Sequence, residues 1–512
     1  MFEYQKGMEE REKLKEDVRE GRIDPGRLVD LIATLQQELQ AAQQELQAAQ
    51  QRIAELEKQV GSPTAKLDQP YSTRAEEQRQ QKRGKTKRKK PKTDTRRGRI
   101  STAEKIKRAK RTEKVFPDGV DPERCYLSHV RPVWRIEDGQ AVLIAYEIYR
   151  GPNDQYGKTP GVLGRSEFGI EILLTIAHLV YTVGLSFGKV CELLGFFQNL
   201  NLSKAQANRL LHQLAQHWSK QFDILCTLLA NSAVVHADET SWSLNSVWAF
   251  LSEKARLLIF GVHKDADTLQ QILDLEKFLG ILISDDAAVY TNFTAAQKCW
   301  AHLLRKAIKL TLHEPDNQEY RAFTDRLLEL YRKACRVQRD GRLSDAGRER
   351  KVAELEDELL ELCAPMWLKE LPKQEGVIDD YRLLVNELMR LMLARQLFTF
   401  VTAKPVKQPN GEIKPVAGTN NEAERTLRNP AQARKTGRTN KTACGARRQS
   451  ILTSVLESLR LYLPTYTLQS VIDEVNRWTL SGRSCFEDLM AKLGLTKPTK
   501  SILDTVIAVP DG

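Results

Sequence analysis

The spacing of apolar residues changes period several times along the chain, and each change predicts a different element. From Leu28 to Val60, apolar side chains recur every seven residues at Ile32, Leu39, Leu46, Ile53 and Val60. Leu35, Ala42, Ala49 and Leu56 follow three positions behind. This is the seam of a two-stranded coiled coil. Small alanines at two seam positions weaken it, which predicts an aid to dimerisation rather than the main interface. Gly61-Ser62-Pro63 breaks the helix. Between Phe116 and Arg150 the pattern predicts short strands and turns, punctuated by Pro117-Asp118-Gly119 and Gly151-Pro152-Asn153.

Helical spacing prevails from Gly161 to Trp218. The apolar run from Ile172 to Phe187 carries His178 and is too short for a membrane span, so it reads as a buried helix. Leu185 to Gly195 reads as a helix ended by its glycine, and Ser203 as the N-cap of the next. Such a pair is a helix-turn-helix pattern, with Lys204, Gln206, Asn208 and Arg209 available to DNA. It is also a common packing unit.

After Ser232 the pattern turns to strands. Val234-Val235-His236-Ala237 is a β-branched apolar run that ends in Asp238-Glu239-Thr240-Ser241. Val247–Leu251 and Leu257–Val262 read as the next two strands of an antiparallel meander, Asp267–Leu279 as a helix, and Gly280–Ser284 as a fourth strand. The fourth strand ends in Asp285-Asp286. Lys306 to Thr399 is long, charged and helical, and Lys404 to Thr419 has the prolines of a hairpin or loop. A last helix opens at Asn420-Asn421-Glu422-Ala423-Glu424-Arg425, with covering helices from Gln449 to Trp478.

A chain of 512 residues exceeds one core, and two to four domains are expected. With 41% hydrophobic and 29% charged residues, its composition is that of a soluble protein. The N-terminus lacks an apolar h-region, so no secretory signal is expected, and no membrane partner. Eight cysteines scattered from Cys125 to Cys485, without a Cys-x-x-Cys pair, fit a reducing cytoplasm. Cys125 and His129 cannot fill a tetrahedral zinc site alone. Cys299-Trp300-Ala301-His302 has the form of half a zinc site, but its partner pair is not evident.

Charge is unevenly spread. The net charge is +12, and residues 82–99 alone hold eleven Lys/Arg against one Asp. That block repels itself and reads as a disordered basic arm. Residues 425–448 add eight Lys/Arg with no acid, directly after the last acidic motif. Concentrated positive charge is what phosphate binding by counterion release requires.

Taken singly, an aspartate after a strand is more often an N-cap or a loop solubiliser than a catalyst. Two strand-end acids and a third beside a basic run instead point to metal-dependent chemistry on a nucleic-acid phosphate. The motifs His236-Ala237-Asp238-Glu239-Thr240-Ser241-Trp242, Ser284-Asp285-Asp286-Ala287-Ala288-Val289-Tyr290, Cys299-Trp300-Ala301-His302-Leu303-Leu304-Arg305-Lys306 and Asn420-Asn421-Glu422-Ala423-Glu424-Arg425 resemble, in this order, those of insertion-sequence family 66 transposases. The resemblance extends from Gly161 past Ser458.

That resemblance implies a multidomain α/β protein with an RNase H-like catalytic core of the DDE type. The expected scheme is a helical coiled-coil segment (1–61), a disordered basic arm (62–115), a small strand/turn segment (116–160) and a helical DNA-binding region (161–231). The core (232–305) is interrupted by a helical insertion (306–400), resumes with the catalytic glutamate (401–478), and a tail follows (479–512). Asp238, Asp285 and Glu424 are then the catalytic, metal-binding carboxylates for two Mg²⁺ or Mn²⁺ ions. Asp286 and Glu422 are the alternatives, Glu422 lying about 200° around the helix from Glu424. Asp286 stands where the family usually has glycine, and Thr419 where it usually has aspartate. His236, Glu239, Asp265 and Asp267 are weaker candidates. His302, Arg305, Lys306, Arg425, Arg428, Arg434, Lys435, Arg438, Lys204 and Arg209 are expected to contact DNA. The implied function is cytoplasmic, nucleoid-associated transposition: binding of element ends and target DNA, strand cleavage and strand transfer by a homodimer or larger oligomer. A nuclease or resolvase of the same fold, or a non-catalytic DNA-binding regulator, are the alternatives.

Overall fold

The computed structural model describes residues 100–274, 277–367, 379–498 and 500–507. The coiled-coil segment and most of the basic arm lie outside the described residues. The arm's last part, however, is structured. Thr102–Lys107 forms α1, N-capped by Ser101, and Arg111–Val115 forms β1. β1 is fixed by parallel pairing along β3 and by Arg111, whose guanidinium takes Glu113 and Glu137.

The short strands expected next are two long ones, β2 (Tyr126–Glu137) and β3 (Gln140–Arg150). The turn between them is Asp138-Gly139, both with positive φ. That dipeptide forms the tight hairpin turn whose twist matches its strands, and it is the signal that sets this register. The three strands make a sheet of order β1-β3-β2.

The buried run gives α2 (Ile170–Ala177), then one π-turn through Thr182 and a reversal at Gly184, so it is no single helix. α3 (Phe187–Gln198) runs through Gly195 and ends at Asn199, which takes the left-handed conformation itself (φ 53). Ser203 caps α4 (Lys204–Ala230) in a reciprocal capping box with Gln206. Over 27 residues α4 buries a stripe including Leu211, Leu214, Trp218 and Phe222, which covers one face of the central sheet.

That sheet comprises β4 (Val234–Ser241), β5 (Ser246–Ser252) and β6 (Arg256–Val262), then β7 (Ile281–Ser284) and β8 (Ala296–Lys298), in the order β6-β5-β4-β7-β8. The first three form the expected antiparallel meander, and β4, β7 and β8 run parallel. Alternation sorts the two faces: Trp248 and Phe250 of β5 join the α4 core, while Val247 and Ala249 pack with Trp242, Phe260 and Leu427. The helix between β6 and β7, α5, covers only Ala266–Ile272.

Among the described residues, five helices occupy the stretch read from the sequence as the insertion: α6 (Trp300–His313), α7 (Gln318–Arg339), α8 (Asp345–Trp367), α9 (Asp380–Leu393) and α10 (Thr399–Thr402). Their shared core reaches Val234 and Ile283 of the sheet. Of the hairpin or loop expected here, the hairpin is found, made by the two-residue strands β9 (Val406–Lys407) and β10 (Ile413–Lys414). Then come α11 (Asn421–Lys435), α12 (Ala443–Tyr462), α13 (Leu468–Ser481), α14 (Cys485–Lys492) and α15 (Leu503–Val506).

α12 closes the open edge of the sheet. The hydroxyls of Ser450, Ser454 and Ser458, one helical turn apart, accept from the backbone N–H groups of Phe260, Leu258 and Arg256, each at 2.9 Å. An edge strand that would otherwise offer its amides to another chain is thereby satisfied from a helix. Among the described residues, no helix is long and apolar enough to cross a membrane.

Candidate active site

The parallel pairing of β4 with β7 sets the first two carboxylates. Val234 lies opposite Ile281, Val235 opposite Leu282 and His236 opposite Ile283, so the same register brings Asp238 level with Asp285. β4 does not end at Asp238 as expected. It stays paired with β5 to Ser241, and the mouth opens because β7 stops at Ser284 while β4 continues.

Both aspartates are held by backbone amides. Asp238 Oδ1 accepts from the N–H of Glu239 at 2.9 Å, and Asp285 Oδ1 from that of Ala287 at 3.1 Å. The neighbouring Asp286 turns instead to the insertion, paired with Arg390 of α9 and 4.0 Å from Lys298 Nζ. The two members of the Asp-Asp pair thus have different surroundings.

The third carboxylate comes on α11. Glu424 Oε1 lies 2.7 Å from Arg305 Nη2 and 3.6 Å from His302 Nδ1, both on α6. Glu422 points elsewhere and pairs with Arg256 at 2.5 Å, as the helical angle requires. What holds α11 here is Asn420, only 1% exposed. Its side-chain amide donates to Ala237 O at 2.8 Å, its Oδ1 meets His236 Nδ1 at 3.2 Å, and its backbone N–H donates to Cys299 Sγ at 3.1 Å. One side chain therefore ties the start of α11 to β4 beside Asp238.

Electrostatics register the convergence. Burial pushes the Asp238 carboxyl up to about 7, with the negative charges of Glu239, Asp285 and Glu424 adding to it, against the Glu239 amide. Glu239 is itself deeply buried, taking the Tyr290 hydroxyl and, at 2.6 Å, the Lys264 ammonium. Lys298 is buried under the Asp285 turn, donating to Asp285 O at 3.0 Å and Ser284 Oγ at 3.3 Å. Burial pulls its ammonium down in pKa, and Asp286 and Asp285 oppose that. A cleft of about 550 Å³ opens alongside, lined by Asp285, Lys298, His302, Lys306 and Arg390 among others.

Sequence reasoning missed Asn420 as a positioning residue and Lys298, Lys264, Tyr290 and Arg390 as partners of the acids. Only Asn420 carried a signal, within the Asn-Asn pair before the acidic positions. Asp265 caps α5 through its bond from the Thr268 amide, a structural task.

The basic candidates divide. Arg425, Arg428 and Lys435 are exposed on α11. Arg434 instead bonds Ser241 O at 2.6 Å, securing the end of β4, and Arg438 bonds Gly184 O and Thr436 Oγ1. Lys306 pairs with Glu387 at 2.5 Å. Lys204 and Arg209 are exposed near the start of α4, but Gln206 is used in the capping box and Asn208 accepts from Arg448 at 2.6 Å.

No curated protein matches the chain. A family model described as the transposase IS66 family matches residues 165–448, more than half of the chain, from the segment before α2 through both aspartates, the insertion and α11. The chain belongs to the IS66 family of transposases, enzymes that process DNA.

Proposed function

We propose that the chain is a DDE-type DNA transposase with an RNase H-like core, in which Asp238, Asp285 and Glu424 are the catalytic carboxylates. The carrying observation is the shared register of Asp238 and Asp285, with Glu424 brought alongside on a helix that Asn420 pins to Ala237. The meander followed by parallel strands supports the fold assignment.

The donor set fits hard divalent cations, because carboxylate oxygens are the ligands that Mg²⁺ and Mn²⁺ take. A carboxyl pushed up to about 7 by burial, with the negative charges of Glu239, Asp285 and Glu424 adding to it, is one whose ionised form a cation would stabilise. Two such ions, held by Asp238, Asp285 and Glu424, would activate the attacking oxygen and offset charge gathering on the phosphate. Asp238 and Asp285 supply rigid oxygens from amide-bonded carboxylates at the mouth of the strands. Arg305 neutralises Glu424 in the metal-free protein and is placed to turn to a DNA phosphate. Arg425 and Arg428, about one helical turn apart, meet the phosphate backbone together with Lys435, His302 and Lys306. Arg434 and Arg438 support the site's frame and contribute field rather than direct contact. Lys204 and Arg209 present α4 to the element ends, the N-terminal segment assists dimerisation, and the oligomer forms on DNA. The domain scheme is that set out from the sequence, except that the basic arm ends before α1.

Labelled DNA carrying the element's own ends, incubated with Mg²⁺, tests this reading. Cleaved and joined products, both lost in Asp238→Asn, Asp285→Asn and Glu424→Gln with DNA binding retained, are expected. Cleavage without joining means a nuclease of this fold, and binding without cleavage means a regulator.

A further inference from the structure

The geometry points to a second metal-binding use of Glu424: with Cys299 and His302 it forms a site for a borderline-soft divalent ion such as Zn²⁺. This rests in part on the proposed role of Glu424, because an ion held there would draw that carboxylate away from Asp238 and Asp285.

Sequence spacing supplied only half a site. Cys299 is the N-cap of α6 and His302 lies in its first turn, a Cys-x-x-His spacing that places both side chains on one side of the helix start. The fold brings the third donor. A ligand atom from each of Cys299, His302 and Glu424 lies within 4.8 Å of the other two. A tetrahedral zinc ion holds its donors roughly 3.5 Å apart, which follows from its bond lengths of ~2.0–2.3 Å. Small side-chain rotations close that difference.

Two further observations mark these atoms as ligands rather than neighbours. His302 Nδ1 is buried and has no hydrogen-bond partner among the described residues, although it lies 3.6 Å from Glu424 Oε1. A buried ring nitrogen left without a partner costs stability unless something occupies its lone pair. The Cys299 sulfur is only a short reach away and accepts the Asn420 N–H at 3.1 Å. Burial pushes the Cys299 thiol up, while the amides of Asn420, Ala301 and His302 face the sulfur and oppose that, so an ion would have to displace the thiol proton. A thiolate and a carboxylate would balance the charge of a divalent ion, and the fourth position would take water. Arg305 already holds Glu424 Oε1, but a carboxylate has two oxygens and can be shared between a guanidinium and an ion.

Co²⁺, the spectroscopic stand-in for zinc, reports the site without any need for catalysis. Metal-stripped full-length protein titrated with Co²⁺ should develop a near-ultraviolet thiolate-to-cobalt band at one ion per chain, which Zn²⁺ bleaches and Mg²⁺ does not. Cys299→Ser should lose the band, and His302→Ala should weaken Co²⁺ binding at least tenfold. Cys444→Ser should keep it, because Cys444 lies 3.9 Å from His212 and is the competing thiol. Melting curves with excess Zn²⁺ add a second readout, with an upward shift in wild type that Cys299→Ser lacks. A missing band, or one that survives Cys299→Ser, overturns the proposal. In the Mg²⁺ cleavage assay, stoichiometric Zn²⁺ should inhibit wild type more than Cys299→Ser, each measured against its own zinc-free rate. A wild type that never cleaves refutes the DDE reading, whereas the cobalt spectrum still decides the site.

Discussion

Replacing Asn420 by alanine should disable the site more than it destabilises the fold. The substitution removes the amide that donates to Ala237 O at 2.8 Å and the oxygen facing His236 Nδ1 at 3.2 Å. Each bond contributes about 1 kcal/mol net, and a buried group left unsatisfied costs roughly 1–3 kcal/mol. A loss of about 2–3 kcal/mol is therefore expected in urea unfolding. Ser454→Ala is the matched control: it orphans the buried Leu258 N–H, a cost of the same size, on the edge strand two strands away from β4. Asn420→Ala also frees the start of α11, and a displacement of 1 Å at a reacting group can cost about a hundredfold in rate. Mg²⁺-dependent cleavage, measured where both variants are fully folded, should fall by that order in Asn420→Ala and stay within a few-fold in Ser454→Ala. Equal activities per folded molecule would refute the positioning role and reduce Asn420 to a packing residue.

Charge-neutral substitutions should separate the paired acids: Asp285→Asn and Glu424→Gln abolish cleavage, whereas Asp286→Asn and Glu422→Gln, whose partners are Arg390 and Arg256, retain it within roughly tenfold. Asp238 gives a pH dependence. Its folded value is raised to about 7 against an unfolded ~3.9. Its contribution to stability is thus present at low pH and lost as pH rises from about 4 to about 7, and above that window metal-free Asp238→Asn should melt higher than wild type while lacking activity. Arg425→Ala combined with Arg428→Ala should lower the dependence of DNA affinity on salt by about two phosphate contacts, read as the slope of log K against log salt.

Much of the fold was legible because apolar runs and helical spacing carry it. The short apolar runs Val247–Leu251 and Leu257–Val262 and the β-branched run at Val234 required no knowledge of partners, and the charged helical pattern after Lys306 matches the helices found there. The errors came where one local signal competed with a tertiary one. Gly195 looked like a stop, yet α3 continues and ends at Asn199, because asparagine also tolerates the left-handed cap. The run from Ile172 looked continuous because hydrophobicity does not reveal a π-turn, and Gly184 supplied the only local warning. The β2–β3 hairpin was underrated although Asp138-Gly139 states its turn openly.

For the candidate site, the sequence could name the acids but could not say which way they face. Asp285 and Asp286 are adjacent, and no composition or period distinguishes them. The difference is made by Arg390, 104 residues away on α9, which takes Asp286. Glu422 and Glu424 differ by a helical angle that can be calculated, but which angle faces the mouth depends on where α11 is anchored. That anchor is Asn420, whose partners on β4 are 183 and 184 residues distant. A side chain that closes so long a loop leaves no local signature except being polar where a helix begins. Burying such a polar group stabilises only if every bond it needs is met, so its worth is set by strand β4 and not by its own segment. The same argument applies to Cys299 and His302: their spacing is local, but the carboxylate that would make them a metal site arrives on α11.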